Sequence, residues 1–229
     1  MLLIFTLFYY TLAKTFSQKL KIHSILHCIS ATLLNTYSVF YFYNINLMTL
    51  EFCNYNLKNT YWTGLATYNS LGYFISDSLD ILSDWQNIKR RVFLIHHIFA
   101  ILGLLVSFSD SILTNYAIWS LEIGGLVHHL KHASEFYNFS TLPYTVSHIL
   151  YFTVYITSRL LFFINCSNCL LYSDTSSYEK IGIFISYALI FQNMFWFYQN
   201  ILLYTKAITP LTADITPLTL PYSKDITLV

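Results

Sequence analysis

The chain has 229 residues, a formal net charge of +1, 55% apolar residues and only 10% charged residues. Soluble domains carry roughly 25% charged residues, so a soluble fold of this length would lack the charges to cover its surface, whereas a lipid-facing surface needs none. The near-neutral balance gives no basic face for a nucleic acid, and four cysteines do not make a disulfide framework.

A bilayer core needs about 20 mainly apolar residues in a helix. In chain order, Leu2–Ala13 is a short candidate, readable as a partial span or a signal-like anchor; no basic residue precedes it, which weakens the signal-peptide reading. Longer stretches follow at Ile22–Tyr43, Tyr61–Leu82, Val92–Phe108, Ile112–Val127, Leu142–Ile164 and Ile181–Tyr204. The expected fold is therefore all-α: a polytopic transmembrane helical bundle of about seven spans. Residues 1–20 hold the first span and a basic loop, 21–206 the main domain, and 207–229 a flexible cytosolic tail. From Ala207 the chain is rich in Thr and Pro, with ITPLT at Ile208–Thr212 repeated at Ile215–Thr219, and prolines at this density do not continue a helix. Such a tail could present a peptide to a cytosolic partner.

Orientation follows from Lys and Arg in the loops. One set of alternate connections holds Lys14, Lys19, Lys21, Lys89, Arg90, Arg91, Lys131, Lys206 and Lys224, and the opposite set only Lys58 and Lys180, nine against two. The C-terminus is expected in the cytosol. Cys53, Cys166 and Cys169 then share the other side, where both a disulfide and unpaired thiols are open.

Ionisable residues within a span are costly and mark function by default. Span direction places His23, His27, Asp77, Asp80, His96, His97, His128, His129, His132 and His148 toward the cytosolic side, so all eight histidines share one level. Asp77, Asp80 and Asp84 recur at helical spacing, as do Glu122, Gly125, His129 and His132. His96 and His97 are adjacent and point about 100° apart. Glu122 falls near mid-membrane, and Arg159, in the outer half of its span, needs a counter-charge or carbonyl partners. Two simpler roles stay open for this set: interfacial anchors beside basic loops, and acid–imidazole pairs that join helices without chemistry.

The runs GYFISDSLDIL (Gly72–Leu82), FLIHHIFAILGLL (Phe93–Leu105) and SLEIGGLVHHLKH (Ser120–His132), then Arg159 in YITSRLLFF and QNMFWFY (Gln192–Tyr198), together resemble the core of the TLC domain over about Ser24 to Lys206. That family includes ceramide synthases and translocon-associated membrane proteins. The resemblance implies an endoplasmic reticulum or related endomembrane protein that handles acyl-chain or sphingolipid molecules. In ceramide synthases, a pair at the place of His96 and His97 belongs to the centre for acyl transfer from acyl-CoA to a sphingoid amine. An imidazole suits that chemistry as a general base or a transient acyl acceptor. Here the following region keeps Glu122 and Lys131 without the HD pair of ceramide synthases, and Ala100 and Ile101 stand where a threonine usually follows. The resemblance is thus closer to TLC-domain proteins outside that branch.

The resulting expectation is a TLC-type protein that binds or organises membrane lipid, with no cofactor and no metal. The site set is His96 and His97 for catalysis, with Asp77, Asp80, Glu122, His129 and Arg159 as a lipid-binding or structural polar cluster. Alternatives are an N-acyltransferase using acyl-CoA, a transporter or cargo receptor, and a di-iron hydroxylase or desaturase. The last would use HSILH (His23–His27), the His96–His97 pair and HHLKH (His128–His132) as imidazole boxes.

Overall fold

The computed structural model describes residues 1–16, 22–42, 61–106, 112–136, 141–172 and 177–208, and the described residues are helical apart from short turns. The helices are α1 (Leu2–Thr15), α2 (Ile22–Thr36), α3 (Tyr61–Ser83), α4 (Ile88–Val106), α5 (Ile112–Phe136), α6 (Thr141–Tyr155), α7 (Phe163–Tyr172) and α8 (Ser177–Ile208). A π-helical turn, Tyr37–Phe42, extends α2, and another, Ile156–Phe162, joins α6 to α7 into one rod. Pro143 lies in the first turn of α6, where a missing N–H breaks no helical bond. The bounds follow the apolar stretches closely. The main difference is α5, which continues nine residues past Val127 to Phe136 because no breaker interrupts the histidine-rich run.

Two rods, Val146–Asn168 and Lys180–Leu202, are long and apolar enough to cross a membrane. Among the other described rods, Leu2–Thr15 is apolar but shorter, and several carry many polar residues, a good part of them buried. In α3 they include Thr63, Asn69, Ser70, Ser76 and Asp80. Across the described residues, buried polar side chains are almost as numerous as buried apolar ones. The outside is the reverse. Phe184, Phe191, Met194, Phe195 and Tyr198 of α8 face outward, Phe191 with 75% of its surface exposed, and Leu3, Leu33, Ile149 and Leu161 do the same on other rods.

Contacts fix the directions of the rods. The α3–α4 connection is a tight turn in which Asp84 N–H donates to Ile81 O and Asn87 N–H to Asp84 O, each at 3.1 Å, so α4 doubles back along α3. Ser30 meets Asn69 while His23 meets Asp77, making α2 antiparallel to α3. Ser134 meets Ser147 while Leu121 meets Arg159, so α6 reverses α5. His96 meets Gln192 while Gly103 approaches Ile185, so α8 reverses α4. Tyr9 meets Asn69 while Lys14 meets Asp80, so α1 runs parallel to α3. Trp119 meets Thr36 while Glu122 meets His27, so α5 reverses α2. The seven described rods therefore alternate in direction. One end of the bundle collects Lys14, Arg90, Arg91 and Lys131 together with all eight histidines, while Lys180 lies at the other. The region 209–229, which holds most of the expected tail, lies outside the described residues, as do Lys19, Lys21, Cys53 and Lys58.

The short first helix is built into this bundle. Its ring of Tyr9 joins Ala31, Leu71, Tyr73, Phe74, Ala100, Leu104 and Ile118 in one apolar cluster. Tyr9 also donates to Asn69 Oδ1 at 2.7 Å and pairs with Ser30 at 2.9 Å. Close approach to α3 depends on Gly72, where an added Cβ would lie 2.5 Å from Phe5 Cβ and 3.0 Å from Thr6 N. Backbone cannot yield as a side-chain tip can. Gly72→Ala is therefore expected to destabilise the protein by about 1–3 kcal/mol, read as a lower thermal midpoint in detergent; an unchanged midpoint would show that α1 is not docked there.

Candidate functional site

Three ionic clusters occupy the histidine-rich half of the bundle. The first is centred on Asp80, whose side chain is fully buried. Lys14 Nζ donates to its Oδ1 at 2.7 Å and Arg90 Nη2 to its Oδ2 at 2.5 Å, and Arg90 also reaches Asp84 at 3.3 Å. This carboxylate clamps the ends of α1, α3 and α4. The hydrogen bond from Lys14 to Asp80 raises the lysine pKa. Burial opposes the charge of Arg90, and its bonds to Asp80 and Asp84 outweigh that cost, so its pKa rises too. Both cations keep partial access to water.

The second cluster is centred on Asp77. His23 Nε2 of α2 lies 3.0 Å from Asp77 Oδ1, and His97 Nε2 of α4 lies 3.4 Å from Asp77 Oδ2. One carboxylate thus spans two imidazoles from different helices. His96, the other half of the pair, turns away to Gln192 Oε1 at 3.2 Å and to the Trp196 ring at 5.0 Å. The 100° offset between neighbours on a helix gives the two histidines different surroundings: His97 meets an acid, His96 an amide and an indole.

The third lies deeper. His27 is fully buried, stacked on Tyr73 with ring centroids 3.9 Å apart and planes 6° from parallel. Its Nε2 lies 3.3 Å from Glu122 Oε1, while Cys28 Sγ donates to Glu122 Oε2 at 3.2 Å. Arg159 projects from the π-helical turn across Gly124 and Gly125, where an added Cβ would meet its Cγ at 2.6 Å and its Nη2 at 3.0 Å. Its Nε donates to Leu121 O at 2.8 Å and its Nη1 to Asn193 Oδ1 at 2.9 Å, with the Tyr155 ring 5.3 Å away. Arg159 is therefore held mainly by carbonyl oxygens and an aromatic face.

The structure brings Asp77 and His97 together, and Glu122 close to Arg159, but separates other expected partners. Asp77 and Asp80 share a helix yet serve different clusters. His129 lies beside His128, rings 5.8 Å apart, and His128 meets His132 at 4.5 Å and Tyr151 at 5.5 Å; Glu122 turns instead to α2. His23, His27, Cys28, Tyr73 and Asn193 are site residues that the sequence reading left out of its set. The four-residue spacing of His23 and His27 was one available signal, Tyr73 and Asn193 lay within the Gly72–Leu82 and Gln192–Tyr198 runs, and Cys28 carried none. Among the described residues no three His, Cys, Asp or Glu side chains are grouped to hold a metal ion. Comparison with family models, curated proteins and solved structures returns no match.

Removing single partners separates structural from other roles. Arg159→Lys keeps the charge but loses the planar fork that bonds two carbonyls at once; a loss of roughly 2 kcal/mol is expected, seen as a lower thermal midpoint. Asp80→Asn should cost a similar amount, roughly 2 kcal/mol, less than for a fully enclosed pair because Lys14 and Arg90 can turn to solvent.

Proposed function

We propose that this chain is a multi-pass membrane protein of about seven spans, with a TLC-type bundle that binds or maintains acyl-chain or sphingolipid molecules. The observation that carries the reading is the inverted distribution of side chains: aromatic and aliphatic groups outward, and His, Asp, Glu, Arg and Asn inward in paired clusters. Exposed apolar surface on this scale needs a nonaqueous surrounding, and intramembrane charges face the bundle interior and pair there. Alternating rods with the basic residues and histidines at one end support the expected topology, with that end and the C-terminus cytosolic. An endoplasmic reticulum location rests on the TLC resemblance.

Acyl transfer is the second reading, favoured by one contact. Asp77 holds the Nε2 edge of His97, the arrangement by which a carboxylate orients an imidazole for proton transfer. In that reading an amine would attack the acyl-CoA thioester at the cytosolic level, forming an amide and expelling CoA as a thiolate, while His97 takes the amine proton and returns it to the leaving sulfur. The di-iron reading would need all three imidazole boxes to converge; His23 and His97 meet at Asp77, whereas His128 packs against His132 and Tyr151.

Native mass spectrometry of detergent-purified protein is expected to retain an acyl lipid; only bare protein across mild detergents would count against lipid binding. Acyl transfer to a sphingoid base, abolished by His97→Ala with an unchanged thermal midpoint, would establish the catalytic reading, and no turnover across acyl-CoA lengths would remove it. Topology is checked by cysteine labelling. Probes placed at residues 84–87 and 137–140 should react from the same side, opposite to a probe at 173–176; opposite labelling of the first two would overturn the bundle.

A further inference from the structure

Neither lipid binding nor acyl transfer uses the deepest ionic pair. His27 is fully buried, and neither of its ring nitrogens makes a hydrogen bond: Nε2 is at ion-pair distance from Glu122 Oε1, 3.3 Å, without the alignment of a bond. A buried polar group left unbonded is costly, and an imidazolium facing a carboxylate offsets more of that cost than a neutral ring does. Space for a ligand is small. The small residue facing it, Gly125, is already hemmed by Arg159 Nη2 and Cys28 Sγ, each 3.0 Å from an added Cβ, and by Glu122 Oε2 at 3.6 Å. A proton fits where a molecule does not.

We infer that His27 and Glu122 form a buried proton-binding pair, which exchanges its proton with the histidine-rich end of the bundle through His23. Without the proton the pair is a neutral imidazole and a carboxylate. Taking it up at Nε2 gives an imidazolium and carboxylate of zero net charge, and strengthens the contact across the 3.3 Å gap. The proton comes from water at the basic end and returns there, so no other reactant is needed. The path is laid out by two helices. His23 and His27 are one turn apart on the same face of α2, and Tyr73 and Asp77 are one turn apart on α3. These rows face each other: His23 bonds Asp77 at 3.0 Å, the Tyr73 hydroxyl donates to Ser24 Oγ at 3.0 Å, and the Tyr73 ring covers His27.

The groups around the pair set its balance. From α1 comes the Tyr9 ring, 5.7 Å from His27. From α2 come His23 and Cys28, from α3 Tyr73 and Asp77, and from α4 His97, whose ring is 6.1 Å from Tyr73. The cation is Arg159, from the π-helical turn, whose Nη2 and Glu122 Oε2 both approach Gly125. It stabilises the carboxylate and opposes the imidazolium, while Glu122 and Asp77 favour the imidazolium. Arg159 balances Glu122 when the ring is neutral, and the unit charge added with the proton faces the Glu122 carboxylate directly.

The test is nuclear magnetic resonance of the full chain, labelled with nitrogen-15 at histidine, in lipid nanodiscs, with the His27 ring signals assigned by their loss in His27→Gln. One-proton titration of His27 is expected, with a midpoint lowered by about one pH unit or more in Glu122→Gln, and exchange of its ring proton with water slowed at least about tenfold in His23→Phe, a barrier higher by about 1.4 kcal/mol. A His27 that keeps one protonation state across the pH range of the folded wild type would overturn the pair, whether or not the variants fold. An unchanged midpoint in Glu122→Gln would remove the carboxylate from it, and an unchanged exchange rate in His23→Phe would remove the route. None of these outcomes depends on whether lipid is bound.

Discussion

An ionised group away from water must be matched by charge or hydrogen bonds, and this constraint organises the structure more than apolar packing does. The four ionisable groups at the centre of the buried clusters are each met from another helix. Asp80 takes Lys14 and Arg90, Asp77 takes His23 and His97, Glu122 takes His27 and Cys28, and Arg159 takes two carbonyl oxygens and a ring. Because every pairing crosses between helices, the clusters specify which helices meet and at what height. Apolar contacts tolerate sliding, whereas a carboxylate facing two cations does not.

The three carboxylates show how depth changes the meaning of a similar group. Asp80 sits at the end of α3, where its cations reach water, and serves as a clamp. Asp77, one turn further in, holds two imidazoles, one from α2 and one from α4. Glu122 is deeper again, and its histidine is sealed under a tyrosine ring. The series runs from a carboxylate whose cations reach solvent to one whose imidazole is sealed. It gives the proposed lipid-handling bundle a polar end suited to headgroup chemistry and an apolar flank suited to chains.

Small residues are as important as charged ones. Gly72 lets α1 lie against α3, and Gly124 with Gly125 lets the Arg159 side chain lie flat along α5. Without that groove the guanidinium could not reach Leu121 O and Asn193 together. The π-helical turn carrying Arg159 is a local departure from α geometry of the kind that often accompanies function. Here it sets the direction of one buried cation.

Much was legible in the chain itself. Helix bounds followed from long apolar runs because helix formation depends on local patterning, and the common level of the histidines followed from alternating direction and a constant rise per residue. His96 and His97 could be told apart in principle, since adjacent helical positions diverge by about 100°. Which one meets an acid was decided only when α3 and α8 packed on either side of α4. The same holds for Glu122. Its helical spacing linked it to His129, yet it turned to His27 and Cys28 of α2, because contacts between helices depend on rotation and crossing that no single helix encodes. Periodicity determines which residues share a face; tertiary packing alone determines what that face meets.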